Sequence, residues 1–357
     1  MSHSTERDHL AGVASKCLIG NLQLTSGQLL REVEVAYVCY GTLAPDGGNA
    51  VLVTHGLTSG HGMLSSGGTT AEGSWAALLQ PGAPLDAREY FVVCSNVLGS
   101  SFGSTGPGTA APSGGSPLGA DFPALSLQDM VNAQRRLLAA LGVQRLRAVV
   151  GPSYGGMQAL QWALDYPDFV GSIGVIASGL HWPQHMGSGE LRAALEADPD
   201  WCGGRYGPGV GMTRCMTHIR RETLLKYGFA ALFRDRAPDP SQLEAALDQA
   251  AWRWAQQFDA NSLLVLQGAG ERFDVREHMT RIQCPVLFVL ASTDQLFPPG
   301  PEVEALLPRF GGPVTYRVLE TPYGHLASGV EWRKWEDDFR ALLLAAGHGS
   351  LSTKATV

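Results

Sequence analysis

Residues 149–158 read Val149-Val150-Gly151-Pro152-Ser153-Tyr154-Gly155-Gly156-Met157-Gln158, which predicts an apolar strand, a sharp turn and the start of a helix. A serine flanked by glycines in the pattern G-x-S-x-G, on a strand-to-helix turn, is typical of a nucleophile elbow. The small neighbours let the backbones approach closely, and the helix N-terminus presents free N–H groups and a positive dipole end to a developing oxyanion. An ordinary glycine-rich turn is the alternative; the buried strand predicted at 146–150 and the helix body predicted at 157–166 favour the elbow.

Length and composition indicate a globular enzyme with a large core. The chain has 357 residues, of which 45% are hydrophobic and 17% charged, and a net charge of −7 that argues against a nucleic-acid partner. We find no apolar run of membrane-spanning length and no apolar signal core in the first ten residues. The six cysteines are scattered, without a C-x-x-C pair or zinc-like spacing, so we expect reduced thiols, a cytoplasmic location and no metal site.

The distribution of strands and helices predicts an α/β fold with an insertion. Apolar or alternating runs predict strands at 29–40, 49–54, 90–97, 146–150, 172–177, 284–290 and 314–319, and helical periodicity predicts helices at 126–141, 157–166 and 331–346. Between 181 and 281 strands give way to helical sequence rich in Ala, Leu, Trp and Arg. We therefore predict a core in two parts, residues 1–180 and 282–357, with a helical lid at 181–281.

A catalytic triad is predicted from chain order. Asp294 follows the strand at 284–290, and His325 lies in the loop after the next strand. Serine, acid and histidine in that order, on alternating strands and helices, is the arrangement of the α/β-hydrolase fold. His325 would accept the proton of Ser153, and Asp294 would hold the imidazole tautomer and stabilise the imidazolium. A turn-forming aspartate and a loop histidine are the alternatives, but neither explains why both fall after the right strands.

An oxyanion hole is predicted where the strand at 49–54 runs into His55-Gly56-Leu57-Thr58. The backbone N–H groups of Leu57, from this loop, and of Tyr154, after the nucleophile, are the two candidate donors. For His55 we predict a core or loop position without a proton-transfer role, because the catalytic histidine of such chains comes late.

The stretch from Leu98 to Gly119 is too rich in Gly, Pro and Ser for regular structure. It has two interpretations. Its backbone N–H groups could cradle a ligand phosphate, although the G-K-[ST] ending of a P-loop is missing. A long surface loop at the rim of the active site is the other.

The chain resembles the homoserine O-acetyltransferase group of α/β-hydrolase-fold enzymes between about residues 33 and 330. The motifs that carry the resemblance are Val93-Cys94-Ser95-Asn96-Val97-Leu98-Gly99, Gly103-Ser104-Thr105-Gly106-Pro107, Asp129-Met130-Val131, Gly155-Gly156-Met157-Gln158-Ala159-Leu160, Tyr166-Pro167-Asp168, Asp259-Ala260-Asn261-Ser262 and Asp294-Gln295-Leu296-Phe297-Pro298-Pro299. The resemblance implies a helical lid that forms a homodimer. It also implies a ping-pong route without a bound cofactor, in which acyl-CoA acylates the serine and a hydroxyl acceptor then takes the acyl group.

Two departures from that group concern the acceptor. The group carries Gly-His-Asp at the catalytic histidine, where the Asp helps bind the acceptor amino acid; this chain has Gly324-His325-Leu326. The group also has Thr-Tyr-Arg in the lid, with the Arg on the acceptor carboxylate; this chain has Thr217-His218-Ile219 there. Arg214, His218 and Arg220 are therefore the candidate substrate contacts, and the departures argue against homoserine as acceptor because a lost charged contact costs a few kcal/mol.

Three functions are compatible with these residues. The first is acyl transfer from acyl-CoA to a hydroxyl acceptor. The second is hydrolysis of a small ester, thioester or amide, which uses the same triad with water as the acceptor and which Leu326 favours. The third, a binding protein on a hydrolase scaffold, is disfavoured because all three triad members are present.

Overall fold

The computed structural model describes residues 12–65, 74–183, 186–206, 212–237 and 239–346. Within these ranges a single eight-stranded sheet has the order β1-β2-β4-β3-β5-β6-β7-β8. The strands are β1 (Val13–Gln23), β2 (Leu29–Tyr40), β3 (Ala50–Thr54), β4 (Phe91–Ser95), β5 (Ala148–Pro152), β6 (Ile173–Ile176), β7 (Val286–Ala291) and β8 (Val314–Leu319).

The central strands are short apolar runs that are buried along their whole length. β3, β5 and β7 have no exposed residue, as expected for strands covered on both faces. From β4 through β8 all neighbours pair in parallel, whereas β2 pairs antiparallel with both β1 and β4. Parallel pairing brings the carboxyl ends of β3 to β8 to one edge, where the loops that carry the candidate site begin.

Helices cover both faces of this sheet. Leu137 and Trp162, on the first two helices, pack into one hydrophobic cluster, and Phe339 on the last helix packs into a second. The helices are α1 (Leu127–Ala140), α2 (Tyr154–Asp165), α3 (Ser188–Glu196), α4 (Thr213–Lys226), α5 (Phe229–Arg236), α6 (Leu243–Ala255), α7 (Ala260–Glu271), α8 (Pro301–Leu306), α9 (Ala327–Val330) and α10 (Glu336–Ala345).

Five of these helices, α3 to α7, lie between the neighbouring strands β6 and β7. An isolated antiparallel bridge between His181 and Asp274 joins the two ends of this region, and its described residues contain no longer strand. We keep the name lid for residues 181–281. The exact partition into core and lid stays a prediction.

Several predicted boundaries differ from the structure by a few residues, and three of the differences have a physical reason. β1 was not predicted; it is an edge strand whose residues are mostly exposed, so it lacks the apolar alternation of a half-buried strand. The strand predicted at 146–150 runs instead from Ala148 to Pro152, directly up to the serine. The last helix begins at Glu336 rather than 331, because Trp335 has a non-helical φ of −127° and its indole N–H donates to the Ser328 carbonyl at 3.2 Å.

Two further observations concern the chain as a whole. All six cysteines are described, and none forms a disulfide. No helix within the described ranges combines the length and the apolarity that crossing a bilayer requires.

Candidate active site

Ser153 occupies the turn between β5 and α2 in a strained conformation. Its φ of 56° and ψ of −123° lie in a region that non-glycine residues rarely adopt. Two hydrogen bonds hold it there: its N–H donates to the Ile176 carbonyl at 2.9 Å, and its own carbonyl accepts from the Ser178 hydroxyl at 2.6 Å. The side chain lies at the carboxyl edge of the sheet, at the first turn of α2.

The glycines on either side are required because β3 passes very close to the turn. A Cβ atom on Gly151 would lie 2.2 Å from the Thr54 carbonyl oxygen, and one on Gly155 would lie 2.1 Å from it. The Thr54 hydroxyl in turn donates to the Gly155 carbonyl at 2.8 Å. The G-x-S-x-G pattern thus reflects the packing of the elbow onto the end of β3.

His325 and Asp294 form a buried hydrogen-bonded pair. The Nδ1 atom of His325 lies 2.8 Å from Oδ2 of Asp294, and both side chains are fully buried. The other carboxylate oxygen accepts the backbone N–H groups of Leu296 at 2.8 Å and Phe297 at 3.3 Å. The carboxylate is therefore fixed by its own loop and holds one ring nitrogen of the histidine.

The lid encloses His325 from one side. The Tyr227 ring lies 4.7 Å from the imidazole, centroid to centroid, and the Phe297 ring of the core lies 5.8 Å from it. The backbone N–H of Leu326 donates to the Tyr227 carbonyl at 3.2 Å. The loop that carries His325 is therefore bonded to the lid through its backbone as well as packed against it.

His55 is fully buried and has a structural setting. The backbone N–H of Val97 donates to its Nε2 at 2.9 Å, so the ring proton sits on Nδ1, which donates to the Gly56 carbonyl at 2.7 Å. Burial, with a smaller contribution from His61, lowers the pKa of His55 to about 4. The imidazole is therefore neutral at pH 7 and ties the end of β3 to the loop after β4.

Buried side chains of α1 and α2 hold the same loop through hydrogen bonds. The Gln158 amide donates to the His55 carbonyl at 3.1 Å and accepts from Gln134 at 2.8 Å. The Trp162 indole donates to Gln134 at 2.7 Å. These bonds fix the loop that contains Leu57 relative to α2, whose first residue is Tyr154.

Two residues of the lid contact Thr58, the residue next to Leu57. The Thr58 hydroxyl accepts from the Arg220 guanidinium at 2.9 Å, and the Thr58 carbonyl accepts from the Trp254 indole at 2.8 Å. The guanidinium also lies over the Trp254 ring, 5.0 Å from its centroid, and 5.9 Å from that of Tyr227. The candidate oxyanion loop is thus held between the sheet and the lid.

The three predicted substrate contacts lie in different surroundings. Arg220 is buried beside Thr58. Arg214 is on the surface, with its guanidinium 3.5 Å from the Asp198 carboxylate, and His218 is exposed. The structure brings Arg220 to the loop of Leu57 and leaves the other two on outer faces of α4.

Sequence reasoning missed the roles of Thr58, Tyr227 and Phe297. Thr58 had a signal, because it follows the predicted oxyanion donor directly. Tyr227 had none, since its contact with the loop of His325 depends on how the lid folds back over the core. The described residues contain no cluster of His, Cys, Asp or Glu that could hold a metal ion, and the expectation of no metal site stays a prediction.

The chain is similar to known proteins over most of its length. The family model for the alpha/beta hydrolase fold matches residues 49–330, which confirms the predicted fold class. A homoserine O-acetyltransferase from Moorella thermoacetica is 37% identical over 340 residues, covering 88% of this chain and 91% of the relative. The crystal structure of homoserine O-acetyltransferase from Bacillus anthracis superposes with a TM-score of 0.81 at 24% identity, covering 93% of this chain and 97% of that one. An acetylester hydrolase from Corynebacterium glutamicum superposes with a TM-score of 0.78 at 24% identity, covering 93% and 96%, so the fold alone is common to a transferase and a hydrolase.

Proposed function

Because the chain belongs to the homoserine O-acetyltransferase family of α/β-hydrolase-fold enzymes, we propose that it transfers an acyl group from acyl-CoA to a hydroxyl acceptor through an acyl-enzyme on Ser153. The observation that carries the proposal is the placement of Ser153, on a strained elbow at the same sheet edge as the buried His325–Asp294 pair.

In the first half-reaction Ser153 Oγ attacks the thioester carbonyl while His325 takes the hydroxyl proton. The Asp294 carboxylate, 2.8 Å from Nδ1, fixes the ring so that Nε2 is the nitrogen that takes this proton, and it stabilises the imidazolium. When the tetrahedral intermediate collapses, the carbon–sulfur bond breaks, and the proton passes from His325 to the departing thiolate. The products are a free thiol and an ester on Ser153.

In the second half-reaction the acceptor hydroxyl attacks that ester. His325 takes the acceptor proton, and the bond between the acyl carbon and Ser153 Oγ breaks. The proton then returns to the serine oxygen, so the enzyme is regenerated without a bound cofactor.

The Leu57 and Tyr154 N–H groups are the proposed oxyanion donors in both halves. Tyr154 is the first residue of α2, where an N–H group has no partner within the helix and the helix dipole favours negative charge. Leu57 lies between His55, bonded to the loop after β4, and Thr58, bonded to the lid. Donors held in place before the reaction stabilise the oxyanion without a cost of reorganisation.

For the acceptor we propose a hydroxyl compound other than homoserine. The residue after the histidine is Leu326, a buried apolar side chain that offers nothing to an ammonium group. Of the three candidate contacts we favour Arg220, because its guanidinium is buried next to the oxyanion loop, where it can meet a negatively charged acceptor.

We also propose a homodimer formed through the lid. Leu225 on α4 and Trp252 on α6 are 37% and 50% exposed, and the two helices pack on each other, so a second copy seated on them would bury both apolar side chains. Sedimentation of the purified chain, with Trp252→Glu expected to shift the molecule towards the monomer, tests this assembly.

The decisive experiment follows free thiol and the intact protein mass after mixing with acetyl-CoA or succinyl-CoA, with and without alcohols that include homoserine and serine. We expect thiol release and a stable acyl adduct that an added alcohol discharges. Ser153→Ala should abolish both, and a variant with full activity would refute the whole scheme. Turnover of simple esters with no thiol release from any acyl-CoA would instead establish the hydrolase.

A further inference from the structure

A cleft of about 740 Å³ opens between the glycine-rich loop and the lid. The loop contributes residues of 100–109 and 116–120, and the lid contributes residues of 204–206, 212–213 and 255–261. The volume falls within the range of small-molecule sites. The walls include Ser100, Thr109 and Leu118 on one side and Met212, Gln257 and Phe258 on the other.

The inner wall of this cleft is close to the candidate active site. Phe258 stacks on Trp254, with ring centroids 4.8 Å apart and an interplanar angle of 19°. Trp254 donates its indole N–H to the Thr58 carbonyl, one residue from the proposed oxyanion donor Leu57. A molecule in the cleft therefore lies two side chains from the loop at which the acyl group is expected to react.

Ser100 supplies a polar group that the described part of the protein does not satisfy. The residue is 1% exposed and lines the cleft, and its hydroxyl has no hydrogen-bond partner among the described residues. Buried hydroxyl groups are nearly always hydrogen-bonded, since leaving one unsatisfied costs free energy. The unsatisfied hydroxyl therefore indicates a ligand or a water molecule that can form a hydrogen bond with it.

The charged side chains of the cleft are already engaged. The Asp259 carboxylate accepts from the Ser262 N–H at 2.7 Å and from the Tyr206 hydroxyl at 2.5 Å. The Arg205 guanidinium makes two bonds of 2.9 Å to Asp121. What remains is a neutral surface of hydroxyl, amide and backbone groups between apolar walls, which suits a chain in which amides alternate with methylene groups.

We propose that this cleft binds the amide-bearing arm of the acyl thioester donor, the pantetheine part of acyl-CoA, and directs its acyl end towards Ser153. This inference rests on the proposed function. It gives the glycine-rich loop a role in donor recognition through an uncharged arm rather than through phosphate.

The test compares two acetyl donors that differ in the arm: acetyl-CoA, which has it, and p-nitrophenyl acetate, which lacks it. Gln257→Trp places a bulky ring at the exposed rim of the cleft, and Ser100→Ala removes the buried hydroxyl. Gln249→Trp is the matched control, since Gln249 is also exposed but lies on α6 away from the cleft.

We expect Gln257→Trp to raise the KM for acetyl-CoA at least tenfold and Ser100→Ala to raise it about fivefold, the effect of one lost hydrogen bond. The kcat/KM for p-nitrophenyl acetate should stay within about twofold for all three variants, and Gln249→Trp should match the parent with both donors. Free pantetheine should compete with acetyl-CoA in the parent and compete less well in Gln257→Trp.

Two results would overturn the inference in different ways. If the parent uses acetyl-CoA but Gln257→Trp and Ser100→Ala behave like the control, the donor binds elsewhere and only the cleft assignment fails. If the parent releases no thiol from acetyl-CoA yet hydrolyses p-nitrophenyl acetate, the proposed transferase function fails, and the cleft assignment fails with it.

Discussion

Two histidines at the carboxyl edge of the sheet have opposite electrostatic settings. His325 lies beside the Asp294 carboxylate, which favours a positive charge on the ring. The imidazole of His55 bonds to a backbone N–H and a backbone carbonyl, and among the described residues no carboxylate compensates for its burial. The first setting suits a base that is transiently protonated, and the second suits a neutral support for the oxyanion loop.

His55 should make stability depend on pH. Its pKa is about 4 in the folded protein and near 6.5 in the unfolded chain, so between these values the unfolded chain alone binds the proton. The stability that neutral His55 contributes is therefore fully present above about pH 6.5, and it is lost as the pH falls towards 4. Between pH 7.5 and 5 we expect this group to remove about 2 kcal/mol from the free energy of unfolding. Urea unfolding at both pH values should show that the free energy of unfolding falls less in His55→Gln than in the parent. Equal losses in the two proteins would mean that His55 is protonated at pH 5 in the folded state as well.

Asp294→Asn tests how His325 is held. An amide keeps the shape of the carboxylate but cannot stabilise the imidazolium, and its N–H favours the wrong tautomer. We expect kcat to fall about 10⁴-fold with KM nearly unchanged, by analogy with serine enzymes in which the buried aspartate is replaced. Since Oδ1 accepts two backbone N–H groups, stability should be measured alongside. A folded variant with more than a tenth of the parent kcat would contradict the assigned role.

At the scale of elements, β5, the elbow and α2 behave as one unit packed on the end of β3. The sequence predicted this unit well, because a buried apolar strand, a glycine-flanked serine and a helical run are local patterns. The sequence did not predict β1, because an exposed edge strand lacks the alternation of apolar and polar residues that marks a half-buried strand. The strained φ of Ser153 was likewise beyond sequence reasoning, since it depends on bonds to β6 and on the loop that follows β6.

Gly151→Ala should disrupt that unit. The new methyl group would lie 2.2 Å from the Thr54 carbonyl oxygen, a backbone atom that cannot move without shifting β3. We expect a loss of about 2–4 kcal/mol in the free energy of unfolding, measured with urea, together with a large loss of activity. Gly62→Ala is the control, because in the described part of the chain nothing lies within 4 Å of its added methyl group and its φ is not positive. Similar losses in the two variants would show that close packing on β3 is not what selects glycine.

Across the whole molecule, the lid holds both halves of the candidate site. Arg220 and Trp254 bond to Thr58 on the oxyanion side, and Tyr227 bonds to Leu326 on the histidine side. From the sequence we predicted a helical lid and the strands after which Asp294 and His325 follow; the structure places these residues after β7 and β8, and their joint role with Ser153 stays a prediction. The sequence could not predict these contacts of the lid, because they join residues far apart in the chain and follow from how α4 and α6 lie on the core.

Gly228→Ala should separate the lid from the histidine loop. Gly228 has a φ of 96°, and a Cβ atom there would lie 2.4 Å from the Tyr323 carbonyl oxygen, so the lid would have to move away from the loop that positions His325. We expect kcat for acetyl transfer or ester cleavage to fall at least tenfold. Gly203→Ala separates the clash from the cost of a left-handed backbone: its φ is 65°, but no described residue lies within 4 Å of the added methyl group. That control should lose about 1 kcal/mol of stability and keep its kcat. If both variants lose activity equally, backbone strain in the lid, rather than its contact with the histidine loop, limits the reaction.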